Sequence, residues 1–356
     1  QSELVHYLSD TQGLAPSETE GLRYVLEREP AHMEEVEAPL GEMCSRCHSA
    51  ARFKLQRRTQ EEWALHIDFH VGQWPTLEYQ ALGRDREWLK LAREEVVPLL
   101  AERYPLESDA WNTWLEAQKP EAAGSWVFAT SLPEKGEAYG TLEVSGDSQP
   151  YTVSGTLMTV GGEELTLEGK LNVYTGYEWR ANLDIGGTKY RQILAISEDG
   201  SSLSGRQFLH AEDSLGGAFR AARAGGAPAI VGVVPSTVPA GSSATVQIVG
   251  TGLGDVALSG ALEATGGATN AYGSAIEVSP AADTDGLITV ASRDATTDET
   301  LAVYSHVDSL KVEPAFAVAR VGGGGGSAGK VPARFDAVGY WNGPDGQPGT
   351  EDDIRI

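Results

Sequence analysis

Both cysteines of this chain stand in one pentapeptide, Cys44-Ser45-Arg46-Cys47-His48. With no other thiol in 356 residues, a long-range disulfide is excluded and the pair must serve local chemistry. Two thiols separated by two residues and followed by an imidazole suit addition of both sulfurs to the vinyl groups of haem, with the histidine reaching the iron. A thioredoxin-like redox pair would sit beside a βαβ pattern, which is absent, and half a zinc site would need two further ligands nearby. The motif predicts one covalent haem c on Cys44 and Cys47, with His48 as an axial ligand.

The second axial position decides between electron transfer and ligand chemistry. The downstream candidates are His66 and His70, one helical turn apart, since Met158 falls among strands. Spacing alone leaves either histidine, or an ordinary packing role for each, open. A zinc protease motif is excluded because Ile67 stands where its glutamate belongs.

Residues 1 to about 115 carry helical periodicity. One helix is expected over Leu4–Ser9, and another from Ser17 through Leu22, Tyr24 and Val25, with Glu20 reaching back in a capping box. A third begins at Thr59, with Glu62 three residues on, and sets Trp63, Ile67 and His70 along one face. Trp63, Trp74, Trp88, Trp111 and Trp114 are expected to cover the haem and its neighbouring helices.

After Pro120 the period changes to two, as in Ser125-Trp126-Val127-Phe128-Ala129 and in residues Tyr151 to Leu157. Turn signals at Gly146-Asp147, Gly161-Gly162, Gly186-Gly187 and Asp199-Gly200 join successive antiparallel strands. The fold class read from these patterns is α then β. An all-α cytochrome c-like domain over residues 1–120 precedes an antiparallel β-barrel over 121–224. An immunoglobulin-like β-sandwich follows over 227–311, without the cysteine pair of antibody domains, and 312–356 open a further, incomplete β domain.

The formal charge of -24, from 51 acidic against 27 basic side chains, repels phosphate backbones and anionic bilayers, so neither nucleic acid nor a membrane surface is an expected partner. No run of eighteen apolar residues is present, and no signal segment opens the chain, which is expected to be a mature or trimmed form. The glycines at 161–162 and 322–326 lack the strand, helix and lysine of a phosphate loop. Asp345-Gly346 with Glu351, Asp352 and Asp353 lacks the alternate spacing of a calcium loop. His210, Ser214 and His306 sit in no nucleophile elbow and are expected at the surface or in packing.

Several runs are more specific than the haem motif. Leu8-Ser9-Asp10-Thr11-Gln12-Gly13-Leu14-Ala15-Pro16-Ser17-Glu18, Gln56-Arg57-Arg58-Thr59, Phe69-His70-Val71-Gly72-Gln73 and residues Tyr79 to Asp85 resemble the α subunit of quinohaemoprotein amine dehydrogenase. Far downstream, Phe335 to Tyr340 and Asn342-Gly343-Pro344-Asp345-Gly346 share the likeness. The resemblance implies a periplasmic heterotrimer that deaminates primary amines. Its β-propeller subunit and a small subunit bearing cysteine tryptophylquinone would be partners, and this chain would pass electrons to a soluble acceptor such as a blue copper protein or a cytochrome c. No catalytic residue is then expected here. The family's α subunit carries two haem motifs and this chain one, so a chain cut within the dihaem domain and within the last β domain is expected. The family also places a distal ligand seven residues after a helix tryptophan, which from Trp63 leads to His70 and implies a His48–His70 pair. Rival readings are an extracytoplasmic haem-containing binding or sensor protein with β recognition modules, and a stand-alone oxidoreductase, for which no acid–base pair is evident.

Overall fold

The structure is a computed structural model and describes residues 2–25, 37–45, 48–74, 87–259, 262, 264–313, 315–316, 319, 333 and 335–356. Cys47, the run 79–85 and the glycines 322–326 lie outside the described residues. Two units are distinguished: Gln1–Lys119 with Val173–Glu178, and Pro120–Asn172 with Trp179–Ile356.

Short helices make up the regular structure described in the first unit: α1 (Ser2–Gln12), α2 (Pro16–Thr19), α3 (Leu40–Met43), α4 (Ala51–Lys54) and α5 (Gln60–Gln73). After them α6 (Trp88–Leu91), a π turn (Ala92–Val96) and α7 (Val97–Arg103) run on without a break, and α8 (Asp109–Glu116) closes the series. The π turn has a cause in Pro98, which has no N–H to donate and whose ring would strike the carbonyl of Glu94 in a regular helix. Thr59 caps α5 as expected: its hydroxyl accepts the Glu62 N–H at 3.2 Å, and the Glu62 carboxylate accepts the Thr59 N–H at 2.9 Å.

Other expectations are corrected. The helix expected from Ser17 to Val25 is the single turn α2, and the carboxylate reaching back is Glu18, onto the Ala15 N–H at 2.8 Å, not Glu20. Extended backbone at Glu20 and a left-handed Gly21 (φ 72°) end that helix before Leu22. The first helix is longer than Leu4–Ser9. Among the described residues helices are few and mostly short, and strands dominate.

In the second unit β1 (Gly124–Leu132), β2 (Gly136–Ser145), β3 (Tyr151–Thr159), β4 (Glu164–Tyr174), β5 (Glu178–Ile185), β6 (Thr188–Ile196), β7 (Ser202–Leu209) and β8 (Glu212–Arg223) form a closed barrel in chain order. The turns between β2 and β3, β3 and β4, β5 and β6, and β6 and β7 fall on the four glycine signals read from the sequence. Closure comes from β1 pairing β8, with Phe128 opposite Ala221. The alternating side chains fill the interior, where Phe128 and Phe219 stack with centroids 4.9 Å apart. A buried polar chain crosses it: Trp179 Nε1 donates to Gln192 Oε1 at 3.0 Å, and Gln192 Nε2 to Gln207 Oε1 at 2.7 Å.

Next comes a sandwich of two four-stranded sheets. One has the order β10 (Thr237–Pro239), β16 (Glu299–Tyr304), β15 (Gly286–Ser292), β12 (Val256–Leu258). The other runs β13 (Ala264–Asn270), β14 (Gly273–Val278), β11 (Ala244–Thr251), β9 (Ala229–Val234). Val246, Ile248 and Ile276 from one sheet and Val290, Leu301 and Val303 from the other share a buried core. A three-stranded sheet of β17 (Ser309–Glu313), β18 (Asp336–Trp341) and β19 (Ile354–Arg355) ends the chain.

Candidate haem site

Cys44 closes α3, its N–H donating to the Leu40 carbonyl at 2.8 Å. Four residues on, the His48 ring holds its Nδ1 at 3.0 Å from the Ser49 carbonyl. A carbonyl only accepts, so Nδ1 carries the proton and the lone pair of the neutral ring sits on Nε2. The same arrangement recurs on α5, where His70 Nδ1 lies 2.9 Å from the His66 carbonyl. Both predicted axial residues thus present the tautomer that ligates iron through Nε2.

The three histidines share one neighbourhood. His66 and His70 lie 4.6 Å apart between ring centroids, and His66 is edge-on to Trp63 at 5.9 Å. Burial, and then the charges of His70, Arg58 and His48, hold His66 down at about 4, so its ring is neutral at physiological pH. His48 lies edge-on to Phe53 at 6.5 Å, and Phe53 to Tyr104 at 6.1 Å. Around them Phe53, Trp63, Ile67, Trp88, Val96 and Leu100 belong to one buried cluster. Burying a side chain such as Phe53 contributes about 1.5–3 kcal/mol, which is how a helical unit with few long helices gains a core.

Of the five tryptophans expected over the haem, Trp63 and Trp88 lie in this cluster. Trp74 does not: it follows the last turn of α5 and is 60% exposed. Trp111 and Trp114 are buried elsewhere in the unit, Trp111 under the Arg57 guanidinium and Trp114 edge-on to Tyr177. Met158 lies on β3 of the barrel. His210 contacts Arg191 at 3.1 Å, and His306 pairs with Asp308 at 2.9 Å, both at the surface.

Haem fits what surrounds these residues. Among the described residues, four buried polar atoms of this neighbourhood lack a hydrogen-bond partner: Ser45 Oγ within the motif, Ser49 Oγ just after it, Arg58 Nε before α5 and Trp88 Nε1 in the cluster. All four can donate, and an apolar macrocycle bearing carboxylates supplies both the acceptors and the flat apolar area that this core suits. Arg58 and Trp88 were not singled out as polar groups in the sequence. The available signal is an arginine pair directly before a helix cap, beginning nine residues after the last residue of the haem motif.

A haem-binding helical unit joined to a closed barrel and further β-sheets defines the class of this chain. Residues 1–111 match the family model described as quinohemoprotein amine dehydrogenase A, alpha subunit, haem binding. Residues 119–224 match alpha subunit domain II, and residues 310–356 alpha subunit domain IV. The chain belongs to the quinohemoprotein amine dehydrogenase alpha subunit family. No curated protein matches the chain. Among solved structures, a de novo designed fluorescence-activating β-barrel is 19% identical, covering 28% of this chain and 92% of its own, with a TM-score of 0.25. A redesigned β-barrel, mFAP0, bound to DFHBI is 16% identical, covering 28% and 97%, also with a TM-score of 0.25. Among the described residues no helix is long and apolar enough to cross a membrane.

Proposed function

We propose that this chain is the haem c electron-transfer subunit of a periplasmic amine dehydrogenase. In this reading it takes electrons from a cysteine tryptophylquinone on a small partner subunit, beside a β-propeller subunit, and passes them to a soluble blue copper protein or cytochrome c. When bound, haem supplies one-electron exchange at its iron. The chain's own residues do the rest. Cys44 and Cys47 would anchor the group, His48 and His70 would supply Nε2 lone pairs to its iron, and the aromatic cluster would keep water from it. With both histidines bound to the iron, outer-sphere transfer would be favoured over oxygen binding.

The observation that carries this reading is the matched pair of tautomers, each set by a backbone carbonyl, inside a domain of a haem-binding family. The division into a cytochrome c-like domain (1–120), a barrel (121–224), an immunoglobulin-like sandwich (227–311) and an opening β domain (312–356) belongs to the same proposal, with the β domains as docking scaffold. The test is the reduced visible spectrum of the denatured protein in alkaline pyridine, together with the intact mass. One thioether-linked haem per chain supports the reading, and its absence leaves Cys44 and Cys47 as a redox or zinc pair and ends it.

A further inference from the structure

Axial ligands and thioethers hold a haem at its iron and its vinyl edge, and leave its two carboxylates to be placed. Two of the buried donors without acceptors near the motif are the nitrogen groups Arg58 Nε and Trp88 Nε1. Arg58 is fixed at its backbone, where its N–H donates to the Tyr104 carbonyl at 3.4 Å and the residue bridges Pro105. Its guanidinium carbon lies 5.6 Å from the Trp63 ring centroid, and Nη2 donates to neutral Gln56 at 2.9 Å. Nε, shut off from solvent, has no acceptor among the described residues. The indole N–H of Trp88, a residue 4% exposed, is likewise unmatched in the cluster that contains Trp63.

A guanidinium whose Nε is closed off from water calls for an acceptor there, best an anionic one, and a buried indole N–H calls for an acceptor too. An ionised carboxylate answers both, since it only accepts. Building on the haem reading, we propose that Arg58 Nε and Trp88 Nε1 are the donors that hold the two haem carboxylates and position the ring between His48 and His70. Both are positioning residues. Arg58 brings a positive charge to the haem edge, which keeps its carboxylate ionised and disfavours the extra positive charge of ferric iron.

The test measures midpoint potential against pH by spectroelectrochemistry on the full-length haem-loaded protein and on Arg58→Gln, Arg58→Lys and Trp88→Phe, after haem content is matched by the pyridine spectrum. The parent is expected to hold a flat potential around neutral pH. Arg58→Gln is expected to shift the potential down and make it pH-dependent near neutrality, as the carboxylate's proton affinity rises. Arg58→Lys should restore most of the shift, and Trp88→Phe should move the potential in the same direction by less. If Arg58→Gln loses its haem, Trp88→Phe, which keeps an aromatic ring but no N–H, carries the comparison. Intact haem with potentials and pH profiles indistinguishable from the parent overturns the carboxylate assignment alone. A parent protein without haem overturns the haem reading, and the assignment with it.

Discussion

The rings of His66 and His70 meet edge to face one turn apart on α5, with the carbonyl of the first accepting from Nδ1 of the second at 2.9 Å. The two are therefore not interchangeable. His70 is oriented by that bond with its lone pair at Nε2, whereas His66 is sandwiched between Trp63 and Phe69, stacking on Phe69 at 6.2 Å. In the haem-loaded protein His70→Ala is expected to lose the low-spin visible spectrum and His66→Ala to keep it. An unchanged low-spin spectrum in His70→Ala removes His70 from the iron.

Arg57 and Glu18 form a second fixed point of the helical unit. The Arg57 side chain is 2% exposed and its guanidinium pairs with Glu18, whose carboxylate also accepts the Ala15 N–H at 2.8 Å and the Ser108 hydroxyl at 2.6 Å. One carboxylate thus ties the start of α2 to the cap of α8. Burial lowers the Arg57 pKa while Glu18 raises it, so removal of the partner strands a buried cation. Glu18→Ala is expected to cost about 3 kcal/mol in chemical denaturation, and Glu18→Gln, which keeps acceptor and shape, clearly less. Equal losses in the two variants would show that the charge itself contributes nothing.

Much of this was legible in the sequence, and the parts that were not have physical reasons. The capping box at Thr59 and Glu62 and the glycine turns of the barrel are local chemistry, written within three or four residues, and the structure repeats them. The extent of α2 was misread because periodicity at Leu22, Tyr24 and Val25 outweighed a single glycine, although Gly21 in the left-handed region is what decides. Trp74, expected over the haem from residue type alone, falls past the last turn of α5 and is exposed among the described residues. Arg58 and Trp88 draw their meaning from what they lack in three dimensions, an acceptor, and no spacing rule reports that.

Asp199 makes the turn between β6 and β7 sensitive to acid. Its carboxylate accepts from the Ser197 and Ser201 hydroxyls at 2.6 and 2.7 Å and from the Ser201 N–H at 3.0 Å, and these bonds hold its pKa at about 2. The folded value lies below the unfolded one. The contribution to stability is therefore complete above about pH 4 and is lost as pH falls toward 2. The turn is largely exposed, so solvent screening limits the effect to about 1 kcal/mol at most. Asp199→Ala is expected to lower stability by that order at neutral pH and to flatten the acid limb of the pH–stability curve. A variant with the parent's acid limb would assign that limb to other carboxylates.

Tyr177 reports the opposite limb. It lies on the turn between β4 and β5, whose residues belong to the helical unit, and is fully buried. Its hydroxyl donates to the Leu14 carbonyl at 2.9 Å and shares a hydrogen bond with Thr19 Oγ1 at 2.9 Å. Burial, aided by the charge of Glu178, pushes its pKa up to about 12 against the opposing pull of Thr19 and Arg23. The folded protein thus binds this proton more tightly than the unfolded chain, whose tyrosine titrates near about 10. Its stabilising contribution is complete below about pH 10 and is lost as pH rises through about 12. Tyr177→Phe keeps the ring packed edge-on to Trp114 but leaves the Leu14 carbonyl without its donor, for an expected loss of about 1–2 kcal/mol at neutral pH. The same variant should lack one component of the alkaline decline in stability, and ultraviolet titration of the parent should show a late-ionising phenol that the variant lacks. A parent in which every tyrosine ionises near the ordinary value would place Tyr177 in water and undo the packing of this turn against α2.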